Sequence, residues 1–147
     1  MSKKYIHYGH KKFDRNLFCP IKNRRCFTKP HGGLWASPVD AKFGWKNWND
    51  GENFCECREE NSFIFTLREN AQVITIRSVE EAKRLPQNHD PEFDFDLWVM
   101  PDFEKLVESG CDAIELVLSA DWELYLALYG WDCDSILILN PEVIVWE

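Results

Sequence analysis

The chain has 147 residues, 45% of them hydrophobic and 29% charged, a composition that suits one globular domain and excludes disordered or collagen-like chains. No apolar run approaches the ~20 residues that cross a bilayer, so membrane-spanning classes drop out and no membrane partner is expected. The net charge of -8 is split unevenly: residues 1–30 carry nine Lys/Arg against one acidic residue, and residues 31–147 carry eight against 24. That acidic remainder repels a phosphate backbone and disfavours general duplex-DNA binding.

The elements follow in chain order. Tyr5-Ile6-His7-Tyr8 predicts a short strand ended by Gly9, and residues 10–30 have no period and read as an irregular basic loop. Two glycines, Gly32 and Gly33, predict a tight turn or a closely approached backbone ahead of a second strand, Leu34 to Ser37, stopped by Pro38. Asp40 is placed to cap a short helix carrying Trp45 and Trp48 on one face. Residues 63–67 and 73–76 predict two strands. Ser78 with Glu81 is a capping box opening a helix that ends before Pro86, and residues 87–96 are a polar link. Asp102 to Ser109 predicts a helix closed by Gly110. Residues 112–117 predict a strand, and the Trp122, Leu124, Tyr125, Leu126 and Leu128 pattern predicts a helix beginning near Ser119 or Asp121. Residues 135–139 predict a nearly all-apolar strand, and Pro141 introduces a last one over 143–146. Seven short strands and three or four helices without regular alternation predict an α+β domain with bent, mostly antiparallel sheets.

Several groups carry chemistry. His7 stands in the first strand beside Tyr8, Gly9 and His10, and an imidazole there can serve a ribose hydroxyl or a carboxamide. Lys29-Pro30-His31-Gly32-Gly33-Leu34-Trp35-Ala36-Ser37 offers a pocket wall for a planar or anionic ligand. Asp132 and Asp134 lead into an apolar strand, and Glu115 lies inside another, where a carboxylate is rarely idle. The bland readings compete at each place: a hydrogen-bonded half-buried histidine, a packed hairpin, a helix-ending polar cluster. The basic segment likewise either packs on the acidic body or places Lys11, Lys12, Arg15, Lys22, Arg24, Arg25 and Lys29 around a phosphate-bearing ligand. Cys19 and Cys26, Cys55 and Cys57, Cys111 and Cys133 form no Cys-x2-Cys knuckle. With no signal-peptide segment after Met1-Ser2-Lys3-Lys4, they are expected to be reduced thiols of a cytoplasmic protein that holds no metal.

The blocks Lys29-Pro30…Gly33-Leu34-Trp35-Ala36-Ser37, Gly44-Trp45 to Trp48, Asp112-Ala113-Ile114-Glu115 and Tyr129-Gly130-Trp131-Asp132-Cys133 followed by Asn140-Pro141 span most of the chain. Together they resemble a group of uncharacterised bacterial and phage proteins of the ADP-ribosyltransferase-like kind. The resemblance implies an ADP-ribosyltransferase-like split β-sandwich with short flanking helices, gripping NAD in a central cleft. It implies that His7, with Tyr8 beside it, takes the first-strand position that holds a ribose or the nicotinamide amide. It also implies that Trp35 and Ser37 border the nicotinamide, while the Gly32 and Gly33 backbone holds polar groups of NAD. No glutamate stands at the entrance of the 135–139 strand, where the family's acid is expected. Asp132, Asp134 or Glu115 is then left to stabilise the developing ribose cation, with protein, nucleic acid or water as acceptor. The competing expectation is a catalytically degenerate protein-interaction module, which explains the charge asymmetry and the tryptophans without turnover.

Overall fold

Short runs of apolar and aromatic residues set the strands, and their register sets everything else. The computed structural model describes residues 3–24, 28–41, 61–88, 98–118, 121–128, 131 and 133–146. The strands are β1 (Tyr5–Tyr8), β2 (Leu34–Pro38), β3 (Ser62–Leu67), β4 (Val73–Ile76), β5 (Ala113–Leu116), β6 (Ser135–Ile138) and β7 (Ile144–Val145). They form one sheet in the order β4-β5-β6-β2-β1-β3-β7. The chain is thus α+β, as its pattern predicts, and every pairing but one is antiparallel. The exception is β4 with β5, which run parallel. Their crossover contains α1 (Val79–Lys83) and α2 (Phe103–Glu108), while α3 (Trp122–Ala127) lies between β5 and β6.

Each helix begins at a side-chain cap that the sequence advertises. Ser78, Asp102 and Asp121 accept from the backbone N–H groups of Glu81, Lys105 and Leu124, contacts that each contribute about 1 kcal/mol. The irregular segment between β1 and β2 holds a 3-10 turn, Arg15–Leu17, and a bridge between Lys22 and His31. The predicted last strand is shorter than expected. Pro141 opens a 3-10 turn through Val143, and only Ile144 and Val145 pair with β3. The helix expected after Asp40, with Trp45 and Trp48, lies outside the described residues, as does most of the 87–96 link.

The sheet separates two apolar clusters. One packs Ile114, Leu116 and Leu137 against Phe103, Leu106, Leu124 and the fully buried Trp131 beneath the helices. The other gathers Tyr5, Ala36, Phe63, Phe65, Ile136 and Ile138 on the opposite face. Phe65 of β3 and Ile138 of β6 share that second cluster although two strands lie between them in the order, so the sheet curls around it.

Three polar anchors hold this arrangement. Asp112 receives the Gln72 N–H at 2.8 Å and the Asn140 side-chain amide at 3.0 Å, tying the starts of β4 and β5 to the end of β6. Asn23 of the basic segment donates to Asp102 at 2.8 Å and accepts the Phe103 N–H at 2.8 Å, which fastens that segment to the start of α2. Glu115, 4% exposed, accepts from Lys3 Nζ at 2.9 and 3.0 Å and from the Tyr5 hydroxyl at 2.7 Å. A buried carboxylate needs such partners, because leaving one charge-facing donor out costs about 1–3 kcal/mol. Tyr5→Phe should therefore lower the urea midpoint by an amount equivalent to about 1–3 kcal/mol with the m-value unchanged. A midpoint equal to wild type would show that the phenol contributes nothing to holding Glu115.

Candidate functional site

β1 and β2 pair through Tyr5↔Pro38 and Ile6↔Ser37 and then part, β1 staying with β3 for four pairs and β2 with β6 for three. At the parting, the Trp35 carbonyl is taken up by a side chain: His7 Nδ1 lies 2.7 Å from it. The fork opens onto a cavity of about 150 Å³ bordered by His7, His10, Lys12, Phe13, Asp14, Phe18, Gly33, Leu34, Trp35 and Phe63. That is the size of a cavity that holds one six-membered aromatic ring. Its walls are the rings of Phe13, Phe18 and Phe63 with Leu34. His10, Lys12 and Asp14 lie at its exposed rim.

The register distributes the expected site residues over two faces. His7 stands level with Ala36, and its ring lies 5.1 Å from that of Phe63, on the side of the second cluster. Trp35 pairs with Leu137 and sends its indole to the helix side. There it meets Trp131 edge-on at 4.8 Å, with Lys29 Nζ 4.8 Å from its ring. Trp35 thus gives the fork its carbonyl and the core its ring, and its indole does not pack beside His7. Tyr8 ends β1 opposite Ser62 and is half-buried.

Gly32 and Gly33 do adopt positive φ, +81° and +77°. A Cβ on Gly33 would stand 2.7 Å from Leu137 Cδ1 and 2.9 Å from the Ile138 carbonyl, and Gly32 is pressed against the backbone of Cys19 and Pro20. The Gly33 N–H donates to Cys19 O at 3.0 Å. These glycines therefore close the basic segment onto β6; the Gly33 amide is spent on the fold rather than offered to a ligand.

The carboxylates lie away from the cavity. Glu115 faces Ile136, which faces Ala36, which stands level with His7; three strand spacings put them roughly 14 Å apart. Asp134 Oδ1 accepts the Leu118 N–H at 2.8 Å, and its carbonyl accepts from Ser37 Oγ at 3.0 Å. Leu34 at the cavity is level with Ile138, four residues along from Asp134, a separation of roughly 13 Å. Beside it the Ser135 hydroxyl is fully buried and has no hydrogen-bond partner among the described residues. Asp132 lies outside the described residues. The carboxylate that does border the cavity is Asp14, whose Oδ1 accepts the Asn16 N–H at 2.9 Å.

Sequence reasoning noticed His10 only as a neighbour of His7 and did not single out Phe13, Asp14, Phe18 or Phe63. The first three come from an aperiodic segment; the signal available was the concentration of aromatic and titratable residues over 7–18. Cys19 is exposed, and Cys111 and Cys133 are buried. No group of three metal-ligating side chains occurs among the described residues, and no helix of theirs is long and apolar enough to cross a membrane.

Protein-family models, curated proteins and solved structures were compared with the chain. None matches.

Burial lowers the His7 pKa below its ordinary value of 6.5, the bond to Trp35 opposing and neighbouring His10 reinforcing the shift. The unfolded chain therefore binds a proton more readily than the native one. His7's contribution to stability is complete above about pH 6.5 and is lost as pH falls through the lowered native value. Thermal melts should show a decline below about pH 6.5 that His7→Phe reduces; an equal decline in both proteins would remove His7 as its source. Gly33→Ala, forced into positive φ and into Leu137, should cost at least about 2 kcal/mol in denaturant unfolding. Wild-type stability in that variant would contradict the packing of this turn.

Proposed function

We propose that the chain is an NAD-binding, ADP-ribosyltransferase-like protein. In this reading the fork between β1 and β2 is the split of its β-sandwich, the cavity seats the nicotinamide ring, and ADP-ribose passes to a protein or nucleic-acid acceptor. The observation that carries the reading is the cavity itself: about 150 Å³ of mostly aromatic wall at the parting of two strands, with an anchored imidazole on one side. One six-membered ring with a small polar substituent is of the order of that volume and suits that lining. The rest of a dinucleotide then lies outside the cavity, toward Lys12 at the rim.

In this role Phe13, Phe18, Leu34 and Phe63 hold the ring and exclude water. NAD supplies a glycosidic bond whose leaving group is nicotinamide. Asp14 takes the part first assigned to Asp132, Asp134 or Glu115, because it is the carboxylate among the described residues that borders the cavity. A carboxylate there favours positive charge developing on a neighbouring sugar carbon.

A second reading, a degenerate module that binds without turnover, is favoured by one observation. Glu115 and Asp134 are both committed to internal hydrogen bonds. Calorimetric titration with NAD, followed by chromatography for free nicotinamide, separates the two. The transferase reading expects NAD to bind, nicotinamide to compete with it and to be released on incubation, and Leu34→Trp, which fills the cavity, to abolish binding. NAD that binds equally well to Leu34→Trp would sink the placement. Binding without release would establish the degenerate module.

A further inference from the structure

His7 and His10 form a hydrogen-bonded pair whose proton positions follow from its anchor. A carbonyl oxygen can only accept, so the His7 Nδ1 that lies 2.7 Å from Trp35 O carries a proton. Burial keeps His7 in its neutral form, and a neutral imidazole with a protonated Nδ1 has a bare Nε2. That Nε2 lies 3.0 Å from His10 Nδ1. Two bare nitrogens repel, so His10 Nδ1 supplies the proton of this bond, and in the neutral pair the lone pair of His10 falls on Nε2. The ring planes differ by 15° with centroids 5.3 Å apart. At that separation a 3.0 Å contact brings the rings edge to edge, in the direction a ring N–H donates. One backbone carbonyl thus dictates the tautomer of two rings, and the outer ring borders the cavity with its basic nitrogen unprotonated.

We propose that His10 is the base of the fork cavity and that His7 is a positioning residue acting through it. This rests on the NAD reading above. His10 Nε2 accepts the O–H proton of the acceptor hydroxyl, or of water, as the new C–O bond forms at the sugar carbon. The carbon–nitrogen bond to the pyridinium breaks, its electron pair leaves with nicotinamide, and the positive charge of the pyridinium reappears as the proton on His10. The bond from His10 Nδ1 to His7 then becomes charge-assisted and strengthens as the charge develops. His10 is exposed, so the proton passes on to solvent. Lys12 at the same rim has no lone pair when charged, and Asp14 lies in the part assigned to the cationic carbon, which leaves His10 for the proton.

The test has two arms on the full chain. Nitrogen-15 NMR of the free protein near pH 8 should find both histidines protonated at Nδ1 and bare at Nε2. His7→Phe should return His10 to a mixture containing the Nε2–H form. His10 protonated at Nε2 in the wild type overturns the proposal whatever NAD does. In the second arm, NAD is the probe, water the acceptor and nicotinamide release the readout. His10→Ala should slow release by about 100-fold or more, on the scale of a lost general base, with NAD affinity changed far less. Added imidazole should restore part of the rate to His10→Ala and none to Leu34→Trp. Unchanged release by His10→Ala, or a loss that imidazole does not relieve, overturns the base while leaving the NAD reading intact. An absence of NAD binding, or binding with no release by the wild type, overturns the transferase reading and the base with it.

Discussion

The carbonyl of Trp35 is the point on which the fork turns. Antiparallel strands satisfy one another's backbone groups pair by pair, and an unpaired carbonyl inside a domain costs as much as a lost hydrogen bond. β1 and β2 can separate after Ile6↔Ser37 because the His7 imidazole takes over the bond that a continuing ladder would have made. Once they separate, β1 follows β3 and β2 follows β6, and the sheet divides into two wings around a small apolar space. The same residue that makes the separation affordable becomes the wall of that space.

Closure of the cavity's far side falls to the segment between β1 and β2, which has little regular structure of its own and is held by others. Gly32 packs against Cys19 and Pro20 within it, Gly33 presses it against β6, Asn23 fixes it to the start of α2, and Arg15 pairs with Glu142. Lys3 reaches Glu115 from the other end of the basic region. The charge asymmetry of the sequence is therefore in part internal complementarity, a basic arm on an acidic body. An exposed ion pair such as Arg15 with Glu142 contributes little by itself. The Asn23 contacts matter more, because its side-chain oxygen satisfies the Phe103 N–H, a helix-start donor that has no partner inside the helix.

The strands were legible as short apolar runs bounded by turn residues, and the helix starts because Ser78, Asp102 and Asp121 have few other roles before an apolar stripe. The parallel β4–β5 pair was not, since register and direction depend on what packs across the sheet. The site was harder still. His7 was readable as an odd residue in a strand, but its neighbours Phe13, Asp14 and Phe18 come from a stretch without periodicity, brought in by tertiary contacts alone. Trp35 was readable as part of the fork, yet a residue in a strand has a backbone and a side chain that serve different places. Its carbonyl faces His7 while its ring faces Trp131.

The carboxylates teach the opposite lesson. Glu115 and Asp134 stand out in sequence because an acid beside or inside an apolar strand must have a reason, and reaction chemistry is one such reason. A buried charge also needs partners, and here Lys3, Tyr5 and the Leu118 N–H supply them. An acid with its oxygens so engaged joins strands firmly and reacts poorly, since its lone pairs are already committed. Asp14 is unremarkable in sequence, one acid among basic residues, and makes a local bond to Asn16 at the cavity rim. Reactive groups must retain unused bonding capacity where a ligand can reach it. By that criterion the groups placed to meet a ligand lie on the irregular arm and the outer histidine, and the strand-borne acids belong to the fold.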